Sequence, residues 1–146
     1  MEFLLDKKGG EVILLGNEAI VRGALESGVN FVSTYPGTPS SEIGNIFNQI
    51  AKKTGVYFEF STNEKVALEA GIGASFSGLK TLVPMKSFGV NVALDSLLPL
   101  AYTGTRGPMV IISADDPNCW SSAESEENSR GFANLTHLPI LEPSDP

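Results

Sequence analysis

Hydrophobic residues along this chain come in short runs that alternate with segments of helical spacing. The run EVILLG predicts a first strand over Val12–Leu15, bounded by Gly9-Gly10 and Gly16. Asn17, with Glu18 beside it, then predicts a helix to about Ser27 that packs through Ala19, Ile20, Gly23, Ala24 and Leu25 and ends at Gly28. Phe31–Thr34 is a second apolar run. The stretch Tyr35-Pro36-Gly37-Thr38-Pro39 that follows it has the composition of a rigid turn. Ser40 is placed to cap a helix to about Lys53, with Ile43, Ile46, Phe47 and Ile50 on one face and Gly55 as its stop.

Tyr57–Ser61 predicts the next strand, and Asn63-Glu64 opens a helix to about Ser77. In that helix Val66, Leu68, Ala70, Ile72 and Phe76 supply apolar surface, while Ala67, Gly71, Gly73, Ala74, Ser75 and Gly78 are small. Two interior glycines cost a helix roughly 1 kcal/mol each, so such a run is expected where something must come close. Leu79–Met85 predicts a strand, and Lys86–Asn91 a loop leading into an apolar helix whose sole charge is Asp95. Pro99 is expected to kink or divide that helix. Met109–Ala114 reads as a strand covered on both faces, followed by a polar, acidic stretch, and Leu138–Leu141 as a last strand.

Strands alternating with helices of this length predict an α/β fold: a mainly parallel sheet in three layers, with helices on both faces. The loops Tyr35–Pro39, Ser61–Glu64, Lys86–Asn91 and Asp115–Arg130 should then share one edge of the sheet, where open α/β sheets hold ligands. Glu64, in a first helical turn at that edge, is the leading candidate for a ligand-binding carboxyl; an exposed first-turn acid is the common alternative.

Composition narrows the chemistry. Of 146 residues, 42% are hydrophobic, which suits one domain with a single core. No apolar run is long enough to span a bilayer and the first residues lack a signal-peptide pattern, so a cytoplasmic location and no membrane partner are expected. One cysteine, Cys119, and one histidine, His137, rule out a cysteine cluster or multi-histidine metal site within this chain. The net charge of −7 falls mostly between Asp115 and Pro146, with no clustered basic face, so nucleic acid is not an expected partner.

Other motifs carry less. Gly71-Ile72-Gly73 with Gly78 is a broken dinucleotide fingerprint placed inside a helix rather than in a strand-to-helix turn. Asp115-Asp116 alone supplies too few oxygens for Mg²⁺ and reads more simply as turn chemistry. Ser121-Ser122 lacks a nucleophile elbow, and Cys119 beside Trp120 reads as a packed or surface thiol. Ser144-Asp145-Pro146 resembles a helix start with no helix after it, so residues 1–146 are expected to be one domain of a longer subunit.

The segments GNEAIVRGALESGVNFVSTYPGTPSSEI, STNEKVALEAGIGASFSG, MKSFGVNVALD and SADDPNCWSSAESEENSRGFA together resemble the 2-oxoacid:ferredoxin oxidoreductases, most of all the α subunits of the indolepyruvate type. The resemblance runs from about Leu15 to Pro146. It implies the pyrimidine-binding domain of a thiamine diphosphate enzyme that oxidatively decarboxylates a 2-oxoacid to an acyl-CoA and passes electrons to ferredoxin. By this resemblance Glu64 falls on the glutamate that hydrogen-bonds N1′ of the cofactor's aminopyrimidine and is catalytic. Gly37 and Thr38 fall in the loop facing cofactor and substrate, and Arg130 and Asn91 become substrate-side candidates.

A carboxyl that shares a proton with N1′ favours the imino form of the 4′-amino group, and the cofactor carries the rest of the chemistry. That role asks for a buried carboxyl. The segment DDPNCWSSAESEENSR departs from the usual DDPGxxSSQNEQDSR at Asn118, Cys119 and Trp120. The diphosphate and Mg²⁺ segment, the iron–sulfur clusters, a β subunit, ferredoxin and coenzyme A are expected outside this chain, and an oligomer is expected. The remaining readings are a pyruvate- or 2-oxoglutarate-type domain of the same family, a non-catalytic interaction module acting through the apolar Val90–Tyr102 surface, and a nucleotide-binding domain.

Overall fold

The computed structural model describes residue 5, residues 11–118 and residues 126–145. The readings placed on Cys119, Trp120, Ser121 and Ser122 lie outside these residues. The order of elements is α1 (Gly16–Glu26), β1 (Phe31–Thr34), α2 (Ser41–Thr54), β2 (Tyr57–Phe60), α3 (Glu64–Phe76), β3 (Thr81–Lys86), α4 (Ser87–Thr103), β4 (Met109–Ala114) and α5 (Arg130–Thr136). The four strands form one sheet in the order β2-β1-β3-β4. All its pairings are parallel, with Phe31 against both Tyr57 and Thr81, and Thr81 against Met109.

Side chains alternate across the strands, and the two faces carry separate cores. Val32 and Leu82 join Val21, Ile43, Ile46, Phe47, Ile50 and Val56 under α1 and α2. Val83 and Met85 join Ala67, Leu68, Val90, Ala93, Leu97 and Leu100 under α3 and α4. The expected three-layer α/β arrangement is therefore present. Gly55, at φ 74°, ends α2 in the left-handed region that glycine enters without strain.

Several local expectations are corrected. Val12–Leu15 is not a strand: Ile13 and Leu15 are exposed, and Leu15 is the extended N-cap of α1. Its backbone N–H donates to the Glu18 carboxylate at 2.9 Å, so the cap comes from Glu18 rather than Asn17. The buried residue of α1 is Val21, which the expected packing face omitted. Leu138–Leu141 pairs with no strand, and Leu141 is exposed. Within and just beyond the stretch read as polar and acidic, Arg130–Thr136 forms α5, whose Phe132 packs against the α3/α4 core together with Leu138.

Lys86–Asn91 is not a loop, because β3 runs directly into α4. That helix continues through Pro99 without division. It buries one side through Val90, Ala93, Leu97 and Leu100 and leaves Val92, Leu98 and Tyr102 exposed. Met109–Ala114, expected to be covered on both faces, is an edge strand with Val110 exposed. Among the described residues no helix is long and apolar enough to cross a membrane.

The small residues of α3 do permit close packing. A Cβ on Gly71 would lie 2.5 Å from Val83 Cγ2 and 3.2 Å from Thr81 Cγ2, so the helix backbone rests almost directly on β3. Gly73, one turn face away, has nothing within 4 Å of such an atom.

Candidate functional site at the carboxyl edge of the sheet

An all-parallel sheet puts the ends of β1, β2, β3 and β4 at one edge. With the order β2-β1-β3-β4, the chain leaves β1 toward one side and β3 toward the other, so the crevice lies between those two strands. The turn after β1 is fixed there. Both the backbone N–H and the hydroxyl of Ser40 donate to the Gly37 carbonyl at 2.8 Å. Asn17 Nδ2 donates to the Pro39 carbonyl at 2.9 Å and to the Glu42 carboxylate. Asn17, expected as a helix cap, therefore braces this turn instead. Thr38 is exposed at its tip and Gly37 is half-buried.

Gly37 reaches across the crevice. A Cβ placed on it would meet Lys86 Cγ and Cδ at 2.9 Å, at the end of β3. Lys86 in turn is the N-cap of α4 and holds its ammonium 5.3 Å from the centre of the Phe88 ring. Lys86 was not among the expected site residues; its place at a strand end was the signal that could have found it.

Glu64 approaches from the neighbouring helix. Asn63 caps α3, its side chain accepting from the Val66 N–H at 2.9 Å, and this sets Glu64 as the first helical residue. The first turn of α3 is tied to the sheet by Ser33 of β1, whose buried hydroxyl donates to the Ala67 carbonyl at 2.7 Å. Glu64 is 6% exposed. Its side chain lies against the first turn of α4: a Cβ on Gly89 would be 2.6 Å from Glu64 Cγ and 2.9 Å from its Oε1.

Among the described residues no hydrogen bond or ion pair reaches the Glu64 carboxyl, yet every fully buried side-chain oxygen or nitrogen has a partner. The carboxyl oxygens thus retain a small accessible surface. A buried carboxyl without partners is costly, and it is placed where a polar ligand group could satisfy it.

The other candidates sit differently. Asn91, on α4 two residues beyond Gly89, is exposed and donates through Nδ2 to both carboxylate oxygens of Glu127 at 3.0 and 2.9 Å. Arg130 begins α5 and makes a two-pronged contact to Glu142, Nε to Oε2 at 2.8 Å and an Nη nitrogen to Oε1 at 2.6 Å. Donating to Glu142 raises the Arg130 pKa, and the same bond holds the Glu142 carboxyl below its usual range.

Asp115 accepts from the Ser129 N–H at 2.7 Å, and Ser129 Oγ donates to it at 2.5 Å, so this aspartate anchors the start of α5. His137 caps the other end of that helix with φ 58°. Gly37 against Lys86 and Glu64 against Gly89 therefore both meet the start of α4. Asn91 is engaged by Glu127 and Arg130 by Glu142, both at the surface. Among the described residues no group of acidic, histidine or cysteine side chains is arranged to hold a metal ion.

Compared with known proteins, residues 22–115 match the family described as pyruvate flavodoxin/ferredoxin oxidoreductase, thiamine diphosphate-binding. The chain is 55% identical over 145 residues to the indolepyruvate oxidoreductase subunit IorA of Methanothermobacter thermautotrophicus, covering 99% of this chain and 23% of that protein. It is 50% identical to the subunit of the same name from Pyrococcus horikoshii, covering 97% of this chain and 22% of that protein. It is 35% identical over 101 residues to the 2-oxoglutarate synthase subunit KorA of Archaeoglobus fulgidus, covering 69% of this chain and 29% of that one.

The chain thus spans less than a quarter of the length of its indolepyruvate oxidoreductase relatives. Its fold is shared with a 2-oxoglutarate:ferredoxin oxidoreductase from Magnetococcus marinus, solved with 2-oxoglutarate, coenzyme A and succinyl-CoA bound. The TM-score is 0.68 at 24% identity, over 73% of this chain and 18% of that one.

Proposed function

Because the chain belongs to the thiamine diphosphate-binding family of pyruvate flavodoxin/ferredoxin oxidoreductases, we propose that it forms the aminopyrimidine-binding part of a 2-oxoacid:ferredoxin oxidoreductase α subunit of the indolepyruvate type. The observation that carries this reading is the buried Glu64 carboxyl, unpartnered among the described residues, at the carboxyl edge of a parallel sheet. A carboxyl in that state suits a ring nitrogen able to share its proton, and the residues present fit such a ring.

Thiamine diphosphate, when bound, supplies the carbanion chemistry that decarboxylates a 2-oxoacid. This chain's part is to hold and polarise one ring. Through its carboxyl Glu64 would hydrogen-bond the N1′ position of that ring and share a proton with it. Gly37 keeps the turn after β1 close against Lys86, and Thr38 stands at the tip of that turn beside the crevice. Asn91 and Arg130 are assigned to the substrate side. Arg130 already shows the fork geometry that suits a carboxylate, here toward Glu142. In the complete enzyme Arg130 would exchange that partner for the carboxylate of the substrate.

The diphosphate and Mg²⁺ site, the iron–sulfur clusters, a β subunit, ferredoxin and coenzyme A belong, in this reading, to the rest of an oligomeric enzyme. Indolepyruvate is preferred to 2-oxoglutarate because identity to the relatives named for the first is higher and extends over nearly the whole chain. The test is Glu64→Gln in the full-length subunit within its complex. Decarboxylation is expected to fall by orders of magnitude with the unfolding midpoint little changed. Near-normal turnover overturns the assignment of Glu64.

A further inference from the structure

The first turn of α4 contains a glycine where a helix gains nothing locally from one. Glycine in a helix is disfavoured relative to alanine. Gly89 is buried, and the three atoms nearest to a Cβ added there all belong to the Glu64 side chain. An added Cβ would fall 2.6 Å from Glu64 Cγ, 2.9 Å from Oε1 and 3.1 Å from Cδ, all far inside contact distance. The methylene and the carboxyl of Glu64 together occupy the room that a side chain at position 89 would take. Gly73, by contrast, has nothing within 4 Å of its added Cβ.

We propose that Gly89 is a positioning residue for Glu64. By leaving the first turn of α4 without a side chain, it lets the carboxyl lie against that turn, and any larger residue displaces it. Ser33 of β1 fixes the backbone of α3 at Ala67, so the Glu64 carboxyl stands between a tethered helix start and an open one. The inference deepens the assignment of Glu64 and rests on it for its catalytic consequence. The steric pairing of Gly89 with Glu64 is independent of what the carboxyl binds.

The test uses the full-length subunit in its complex, with Gly89→Ala, Glu64→Gln, Glu64→Ala, the two pairings Gly89→Ala/Glu64→Gln and Gly89→Ala/Glu64→Ala, and Gly73→Ala as control. Turnover of Gly89→Ala is expected to fall about a hundredfold, the scale of an ångström's misplacement, with the KM for the 2-oxoacid little changed. Gly89→Ala/Glu64→Gln is expected to be no worse than Glu64→Gln alone, and Gly73→Ala to be near normal.

The second readout is the unfolding midpoint without added cofactor. Gly89→Ala should raise the midpoint more in the Glu64→Ala background, where the space has been cleared, than beside an intact Glu64. Equal midpoint shifts in the two backgrounds overturn the pairing. Near-normal turnover of Gly89→Ala, or losses that multiply with Glu64→Gln, overturn the positioning role. Near-normal turnover of Glu64→Gln overturns instead the reading on which that role rests, and the midpoint comparison still decides the pairing.

Discussion

Three helices of this domain carry a glutamate in the first turn, and α2 and α3 put it to opposite use. In α2 the residue is Glu42, exposed, with its carboxylate taken by the Asn17 amide. In α3 it is Glu64, buried and without a partner among the described residues. Glu18 of α1 behaves like Glu42, reaching back to the Leu15 N–H. Near a helix start an acid has two local rewards, the helix dipole and orphan N–H groups. Glu18 follows that logic, and Glu42 meets its partner in solvent. Glu64 gives up most of its exposure and, among the described residues, gains no hydrogen bond, which stability alone does not explain.

The helices around these residues differ in the same direction. α2 presents large apolar side chains, Ile43, Ile46, Phe47 and Ile50, to a conventional core. α3 presents Ala67, Leu68, Gly71 and Ala74, so its backbone lies close to β3 and its first turn is brought into the crevice. Close approach, rather than amphipathic bulk, sets where Glu64 stands.

The sharpest way to break the comparison is to neutralise each acid in turn. Glu42→Gln in the full-length complex is expected to leave 2-oxoacid decarboxylation within about twofold, since surface changes of this kind stay within about 0.5 kcal/mol. Glu64→Gln is expected to remove it by orders of magnitude. Equal effects from the two would mean that burial does not distinguish the two acids functionally.

Next in size is the spacing of α3 from the sheet. Gly71→Ala forces a Cβ to within 2.5 Å of Val83 Cγ2. Overpacking of this kind costs typically about 1–3 kcal/mol, so the chemical-denaturation midpoint should fall. Gly73→Ala, in open space, should raise stability by up to about 1 kcal/mol. If both glycines tolerate alanine equally, close packing does not place the first turn of α3.

The contrast between the two glutamates was only half legible in the sequence. Alternating apolar runs and helical spacing located β1 to β4 and α1 to α4, because each strand–helix pair is a local pattern. Asn63-Glu64 as a helix start was equally local. Burial was not, since it depends on α4 and on Gly89, some 25 positions farther on. The small residues of α3 signalled close packing without naming the surface they meet.

Val12–Leu15 misled for a related reason. A strand needs a partner edge, and this apolar run has none among the described residues: its Leu15 N–H serves α1 instead. Leu138–Leu141 is the same case at the other end of the chain. α5 escaped notice because it is short, and its apolar contact depends on Phe132 meeting the α3/α4 core. Asn17 looked like a cap by position, yet its amide is spent on Pro39 and Glu42 of a distant turn.

A smaller effect tests the tether at the start of α3. Ser33→Ala removes a buried hydroxyl that donates to the Ala67 carbonyl at 2.7 Å. The loss is expected to be about 1 kcal/mol, the usual net value of one hydrogen bond, read as a shift in denaturation midpoint. Turnover should fall further than that loss of stability accounts for, because the first turn carrying Glu64 is freed at the same time. A purely stability-sized effect on activity would show that the tether serves the fold and not the site.

The smallest effect belongs to the outward face shared by α3 and α4, where Lys65 pairs with Asp95. Both groups are solvent-exposed, so the pair is screened and worth little. Its sign is nevertheless fixed. The hydrogen bond and charge of Lys65 lower the Asp95 pKa from 3.8, so that contribution is complete above 3.8 and is lost as pH falls through the lower folded value. Asp95 raises the Lys65 pKa from 10.5, so its contribution is complete below 10.5 and is lost as pH rises through the higher folded value.

Asp95→Asn should therefore shift the denaturation midpoint slightly between these limits, by less than Ser33→Ala does. The shift should vanish in about 1 M salt, where the screening length is ~3 Å. A loss as large as that of Gly71→Ala would mean that α3 is held to α4 through its solvated face, and the buried, close-packed face would no longer explain where Glu64 stands.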